Sequence, residues 1–305
     1  MFLAIALTLF LPAQDSGLDA KIRARAAQTK GSVAVFAKNL DSGAQYSLNG
    51  DGKVRTASTI KLPVMVECFK AVADGRVQWS TPLTLTEANR VSGSGVLFEF
   101  SEGAQIALRD AMRIMIVVSD NTATNLILDK LTANAVNRTL DELGLKDTRS
   151  MRKVRGDGSN LKAPTGWSEA GLKEENKKYG LGSSTPHEMV RLLEMLEQGK
   201  AVSAAASKEM LDVLKRQQLR DGMARRTGEM KVASKTGSLD HLRSDVGILY
   251  TARGRIAMAI SVDDLPEIDE SPDNPGLFLI ADLSRILADG LASPVKAAQG
   301  RTAPQ

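Results

Sequence analysis

The sequence predicts a mixed α/β fold of two lobes, and three observations lead there. Strand-like alternation occurs near both ends of the chain, two runs early and three late. Helical spacing fills most of the middle. The 305 residues are 43% hydrophobic, enough to bury a substantial core in one compact body. Strands from the two ends must then pair into one sheet, and the middle must form a separate helical lobe. Ligand sites favour clefts between such lobes.

The elements run in this order. Leu18, Ile22 and Ala26 can share one helix face within residues 16–30. Residues 32–37 alternate as a strand, Asp41-Ser42-Gly43 signals a turn, and residues 45–49 return as a second strand. Helices are expected at residues 61–73, 108–118, 123–130, 133–143, 186–198 and 204–214. Residues 151–184 interrupt them as a long polar loop rich in Gly and Lys, and long loops in compact domains are usually functional or disordered. Strands follow at residues 231–237, 245–251 and 256–263, then a helix at about 275–291. The expected division is an α/β lobe of residues 16–56 plus 219–292, a helical lobe of 57–218, and a flexible tail of 293–305.

Residues 2–11 form an apolar run too short to span a membrane but of signal-peptide length, so residues 1–13 are expected to direct export to the periplasm or the outside. No Lys or Arg precedes the run, and Leu11 is large for a cleavage site. No spanning segment is expected in the mature chain, and a monomer is expected. The 40 Lys+Arg are mostly interleaved with the 36 Asp+Glu, and no aromatic-studded basic stripe points to nucleic acid. One basic cluster, Arg149, Arg152, Lys153 and Arg155, reads as a solvated loop, with an anionic contact as the alternative. Cys68 is the single cysteine and sits in an apolar run, which reads as a core thiol. His187 and His241 are scattered and make no metal motif, and no Gly-rich phosphate loop occurs, so no cofactor is expected.

Chemistry concentrates in three short motifs. Ser58 and Lys61 lie three apart at the start of an apolar helix, on one face. A serine there sees free backbone N–H groups and the positive helix end, which can hold an oxyanion. A lysine buried beside it, near other cations, loses its proton more easily and can accept the hydroxyl proton. The pattern alone is weak. It recurs at Ser150/Lys153 and Ser159/Lys162, both in the polar loop, and a plain helix cap is the bland alternative. Ser119-Asp120-Asn121 follows an apolar helix. Ser119 could relay a proton to a leaving nitrogen and Asn121 could hold a substrate amide. Lys235-Thr236-Gly237-Ser238 ends a strand, whose edge can pair with a peptide-like substrate. There Lys235 adds positive charge, the Thr236 and Ser238 hydroxyls can grip a carboxylate, and Gly237 permits close backbone approach.

In this order the three motifs match the set of class A β-lactamases and penicillin-binding proteins. The chain closely resembles the class A serine β-lactamase family over nearly its whole length. Ser94-Gly95-Val96-Leu97, Leu108-Arg109-Asp110, Asn121-Thr122-Ala123-Thr124-Asn125 and Ser184-Thr185-Pro186 add to the match. The resemblance implies a three-layer lobe with an antiparallel five-stranded sheet between terminal helices, and a helical lobe, with the serine between them. It implies opening of a β-lactam amide through an acyl-enzyme on Ser58, assisted by Lys61, Ser119 and Lys235. Family members place a Glu on the long loop, as Glu-x-x-Leu-Asn, to activate water. Counting back from Ser184-Thr185-Pro186, that position falls on Glu169, with Lys173 in place of Asn and Glu174, Glu175 and Asn176 as neighbouring competitors. Arg243 is the candidate basic residue for the substrate carboxylate, with an ion pair to Asp245 as its alternative, and Leu239 could narrow the cleft.

Three functions compete. A β-lactamase acylates and then hydrolyses. A D-alanyl-D-alanine peptidase or transpeptidase-like enzyme, acting on peptidoglycan-like peptides, acylates without a dedicated deacylation Glu. A penicillin sensor or wall-binding protein does not turn over.

Overall fold

The computed structural model of the chain describes residues 16–155 and 166–292. The expected signal segment, the tail and the Ser159/Lys162 pair therefore lie outside the described residues. Helix α1 (Ser16–Ala26) leads into β1 (Ser32–Asn39) and β2 (Gln45–Leu48), then the two-residue β3 (Val54–Arg55). A 3-10 turn, Ala57–Ile60, runs directly into α2 (Lys61–Ala73). The short strands β4 (Pro82–Thr84) and β5 (Gln105–Ala107) precede α3 (Leu108–Val117), α4 (Asn121–Leu131) and α5 (Ala133–Glu142). Next come β6 (Arg149–Ser150), the single turn α6 (Glu169–Leu172), β7 (Gly182–Ser184), α7 (Pro186–Glu197) and α8 (Ala204–Leu214). The chain closes with β8 (Lys231–Leu239), β9 (Leu242–Thr251), β10 (Gly254–Asp263) and α9 (Pro275–Gly290).

The early and late strands form one antiparallel five-stranded sheet, in the order β2-β1-β10-β9-β8. Ser32 to Asn39 pair with Asp263 to Ile256, so the two chain ends meet at the β1–β10 ladder. Alternation along each strand sends side chains to two different cores. Val35, Ala37, Met258 and Ile260 face Leu18 and Ile22 of α1 and Leu279, Leu283 and Leu287 of α9. Phe36, Ala257, Ala259, Val246 and Ile248 face the larger core built with α2, α3, α7 and α8. The result is helix, sheet, helix, with more helices beyond.

The helices begin and end where local chemistry dictates. Asp120, Thr132, Thr185 and Ser203 each accept a backbone N–H as N-caps, and Pro186 sits in the first turn of α7. Cys68 is buried in α2, and burial raises its thiol pKa, as suits a core residue. Among the described residues no helix is long and apolar enough to cross a membrane. Two small sheets escape sequence periodicity: β3-β7-β6 and β4-β5. The first ties Thr56, just before the 3-10 turn, to the long loop through Thr56 N–H and the Gly182 carbonyl at 3.0 Å. The free edge of β8 then lies against that turn.

Candidate active site

Ser58 is half-buried in the 3-10 turn that opens α2. Ala57, just before it, has φ of +46°, a left-handed conformation that a residue with a Cβ adopts only at a cost. The turn is braced by Thr59, whose hydroxyl donates to the Thr56 carbonyl at 2.8 Å. β8 approaches it closely. A Cβ built on Gly237 would lie 2.7 Å from the Thr56 carbonyl oxygen and 3.2 Å from the Ser58 amide nitrogen. Only glycine fits, and its absence of a side chain brings the strand edge to the amide of Ser58.

Lys61 is fully buried one helical turn further on. Its Nζ donates to the Ser119 carbonyl at 2.7 Å, to Ser119 Oγ at 3.2 Å and to Asn121 Oδ1 at 2.8 Å. All three acceptors are neutral. Burial, and then the charge of Lys235, hold its pKa well below the usual lysine range, against the opposing pull of Asp120. No hydrogen bond joins Lys61 to Ser58 Oγ; such contacts often tighten only when substrate binds.

Ser119 is where the two lysines meet. Its Oγ also accepts from Lys235 Nζ at 2.9 Å, and that ammonium donates further to the Thr236 carbonyl at 2.8 Å. Burial brings Lys235 down to about 7, partly offset by the nearby Asp245. Ser119 itself has φ of +58°. Its neighbour Asp120 fixes it from two sides, accepting from Ala123 N–H at 2.7 Å and from the Val96 and Leu97 N–H groups at 2.6 and 2.9 Å. Asn121 spends its amide nitrogen on the Ser92 carbonyl at 2.9 Å. Ser58, Lys61, Ser119, Asn121, Lys235 and Gly237 are thus brought together from α2, the α3–α4 junction and β8. The sequence alternatives for Ser58 differ in setting: Ser150 lies in β6 and Lys153 pairs with Asp129 at 2.6 Å.

The remaining candidates are placed as follows. Thr236 is buried on β8 opposite Asp245, and Ser238 is exposed opposite Arg243. Arg243 does not pair with Asp245. The residue is buried, and its guanidinium donates to the Leu239, Leu242 and Asp269 carbonyls, which leaves little of it free for a substrate. Asp245 is buried and takes the Met223 N–H at 2.9 Å. Burial raises its carboxyl pKa to about 6.

Glu169 is not brought to this cluster. It is exposed at the start of α6, its N–H donates to Asn134 Oδ1 at 2.9 Å, and it lines a groove with Arg138, Asp141, Arg149 and Lys173. The sequence expectation makes Glu169 the base that activates water, and the groove it lines shares no residue with the Ser58 cluster. The loop residue held against α4 is Val154 instead. Asn125, one turn after Asn121, accepts from Val154 N–H at 2.8 Å and donates to its carbonyl at 3.0 Å. Sequence reasoning gave Asn125 no role. Its spacing of four from Asn121 on one helix face was the available signal. Arg220 was also passed over. It is exposed, on a segment anchored at one end by Gln217 and Gln218 to the Ile116 and Val117 carbonyls, just before Ser119. At the other end Gly222 abuts Asp245, the partner of Thr236.

A sequence model of the family described as "Beta-lactamase enzyme family" matches residues 17–291. The solved β-lactamase of Sphaerobacter thermophilus is 30% identical with a TM-score of 0.77, covering 92% of this chain and 99% of that one. A solved structure of PBP-A is 27% identical with a TM-score of 0.74, covering 90% and 95%. A curated relative, the β-lactamase regulatory protein BlaB of Streptomyces cacaoi, is 23% identical over 285 residues, 83% of this chain and 91% of its own.

Proposed function

The chain belongs to the beta-lactamase enzyme family, and on that premise we propose that it is a serine hydrolase acylated at Ser58 by β-lactam amides. The observation that carries this is the pair of buried lysines converging on Ser119 beside the Ser58 turn. Buried lysines facing only neutral acceptors are poised to hold and pass protons rather than to make structural ion pairs.

The first half of the reaction uses every member of the cluster. Ser58 Oγ attacks the amide carbonyl carbon, and its proton passes to Lys61 as a neutral amine. The carbonyl oxygen gains negative charge, held by the Ser58 amide and an amide of the β8 edge beside Gly237. Ser119 then gives a proton to the leaving nitrogen as the C–N bond breaks, and recovers one through the lysine it touches. Lys235 and the Thr236 and Ser238 hydroxyls are the proposed holders of the substrate carboxylate, and Asn121 of its side-chain amide.

The second half has no comparable equipment among the described residues. Among the described residues no carboxylate is hydrogen-bonded to Ser58 or Lys61. A placed general base is worth about 10² to 10⁴ in rate, and Glu169 sits elsewhere. This favours the second reading, that acylation is fast and release slow, as in a D-alanyl-D-alanine peptidase-like penicillin-binding enzyme acting on peptidoglycan-like peptides. Such substrates lie outside the cytoplasm, and the apolar residues 2–11 support export. A single-chain site is consistent with a monomer.

The test is labelling by a fluorescent penicillin together with nitrocefin kinetics. Wild type should label stoichiometrically and show a burst of one equivalent followed by slow turnover. Ser58→Ala should not label. Labelling that persists in Ser58→Ala would remove the serine from the mechanism, and steady turnover without a burst would remove slow release.

A further inference from the structure

We infer that Arg152, Arg155 and Trp167 form an oxyanion-binding site, for a carboxylate or phosphate group, on the loop that passes α4. The basic cluster of the sequence divides in two in the structure. Arg149 pairs with Asp141 at 2.5 Å, and Lys153 with Asp129 at 2.6 Å. Arg152 and Arg155 pair with no carboxylate among the described residues. Both instead lie over the same indole, their guanidinium carbons 5.6 and 5.5 Å from the Trp167 ring. An aromatic face attracts a cation, but it carries no net charge to balance two of them. The indole N–H of Trp167 is buried and also lacks a partner among the described residues. Buried polar groups normally find one.

Three donor groups therefore share one small region with no acceptor of matching charge among the described residues. Arg152 is half-buried, and its only hydrogen bond among the described residues is to the Lys153 carbonyl at 2.9 Å. Burial, and then repulsion by Arg155, lower its pKa to about 10, the behaviour of a cation missing its counter-charge. A planar guanidinium matches a carboxylate or phosphate through paired N–H donors, so an oxyanion bound at the two arginines would relieve their repulsion. The location gives such binding a consequence. Arg152 and Arg155 bracket Val154, whose backbone Asn125 clamps against the helix that carries Asn121. A bound anion would brace that stretch of loop.

The full chain contains two tryptophans, Trp79 and Trp167, so intrinsic fluorescence reports on the site. Sodium phosphate and, separately, sodium acetate are titrated at constant ionic strength kept with sodium chloride. The expected result is a saturable change in emission with phosphate, absent in Trp167→Phe and weakened at least tenfold in Arg152→Gln and Arg155→Gln. A matching response to acetate extends the site to carboxylates. No saturable change with either anion, or one unaltered in the arginine variants, overturns the inference. Penicillin labelling of Ser58 in the same samples keeps this outcome separate from the acylation proposal and shows that each variant is folded. Should Arg152→Gln fail to fold, Arg155→Gln alone decides.

Discussion

Replacing Glu169 by Gln should leave the lifetime of the acyl-enzyme unchanged, and the structure sets how sharply this can be judged. Were Glu169 the base that activates water, its loss would remove about 10² to 10⁴ in rate. At 1.36 kcal/mol per tenfold, that is about 2.7 to 5.4 kcal/mol of barrier. The observed Glu169 is exposed, and the contact that fixes it, to Asn134 Oδ1, is made by its backbone N–H, which Gln retains. Its neighbours in the groove include Lys173, Arg138 and Arg149, but exposed charges there are screened within about 8 Å at physiological salt. Surface substitutions of this kind usually stay within about 0.5 kcal/mol, little more than a factor of two. The two outcomes are thus separated by at least about fortyfold. The assay is intact-mass spectrometry. Wild type and Glu169→Gln are acylated with benzylpenicillin, free drug is removed, and the decay of the heavier species is followed. A hundredfold longer lifetime in Glu169→Gln would refute the reasoning and return the base to this residue.

Ser119→Ala should slow acylation about 10- to 150-fold, because hydrogen bonds to charged groups are worth about 1.5–3 kcal/mol and Lys235 loses its 2.9 Å bond; an unchanged rate of penicillin labelling would exclude the relay. The second-order acylation constant for an anionic β-lactam should fall as pH rises past about 7, where Lys235 loses its charge, and Asp245→Asn should move that limb lower by removing a carboxylate that supports the cation; a flat profile from pH 6 to 9 would contradict both. The same shift has a stability sign: the folded chain binds fewer protons than the unfolded one between about 7 and the ordinary lysine value, so the Lys235 contribution to stability increases with pH across that window. Asp245, raised to about 6, acts between its ordinary value and 6, where the folded chain holds a proton the unfolded one has lost, and stability falls as pH rises there. Arg220→Ala should weaken binding of anionic β-lactams several-fold with little loss of stability, because Arg220 is exposed, pairs with no carboxylate among the described residues and lies on a segment anchored just before Ser119; equal affinity in a competition-labelling assay would leave the carboxylate to Lys235 and the Thr236 and Ser238 hydroxyls.

The parts of the fold that were legible are those long enough to show a period. Residues 61–73 and 204–214 coincide with α2 and α8, and the late strands differ from expectation only at their ends. β3, β6 and β7 have two or three residues each, too few to alternate, and they are what lashes the long loop to the Ser58 turn. The clustered residues Ser58, Lys61, Ser119 and Lys235 were readable because three motifs, weak singly, occur in one order. Glu169 was misplaced for a physical reason. Counting back from Ser184 assumes a loop of fixed length, whereas the structure fixes the loop from its other end, where β6 pairs with β7 and Asn125 holds Val154. Arg243 matched by position on its strand, but position does not say that three carbonyls converge on its guanidinium.

Ala57 and Ser119 both hold left-handed backbones, one next to Ser58 and the other within the candidate site. Each such residue costs on the order of 1–3 kcal/mol, maintained by the packing around it. As at Asn49, Thr132 and Asp264, the strain at these two positions could be relieved by glycine, which adopts that conformation freely. They are also where such relief would slacken the turn that aims Ser58 and the joint that seats Ser119 between two lysines. Selection for thermal robustness alone would therefore erode this site first, and efforts to stabilise the protein are better directed to the α1–α9 layer, on the far side of the sheet.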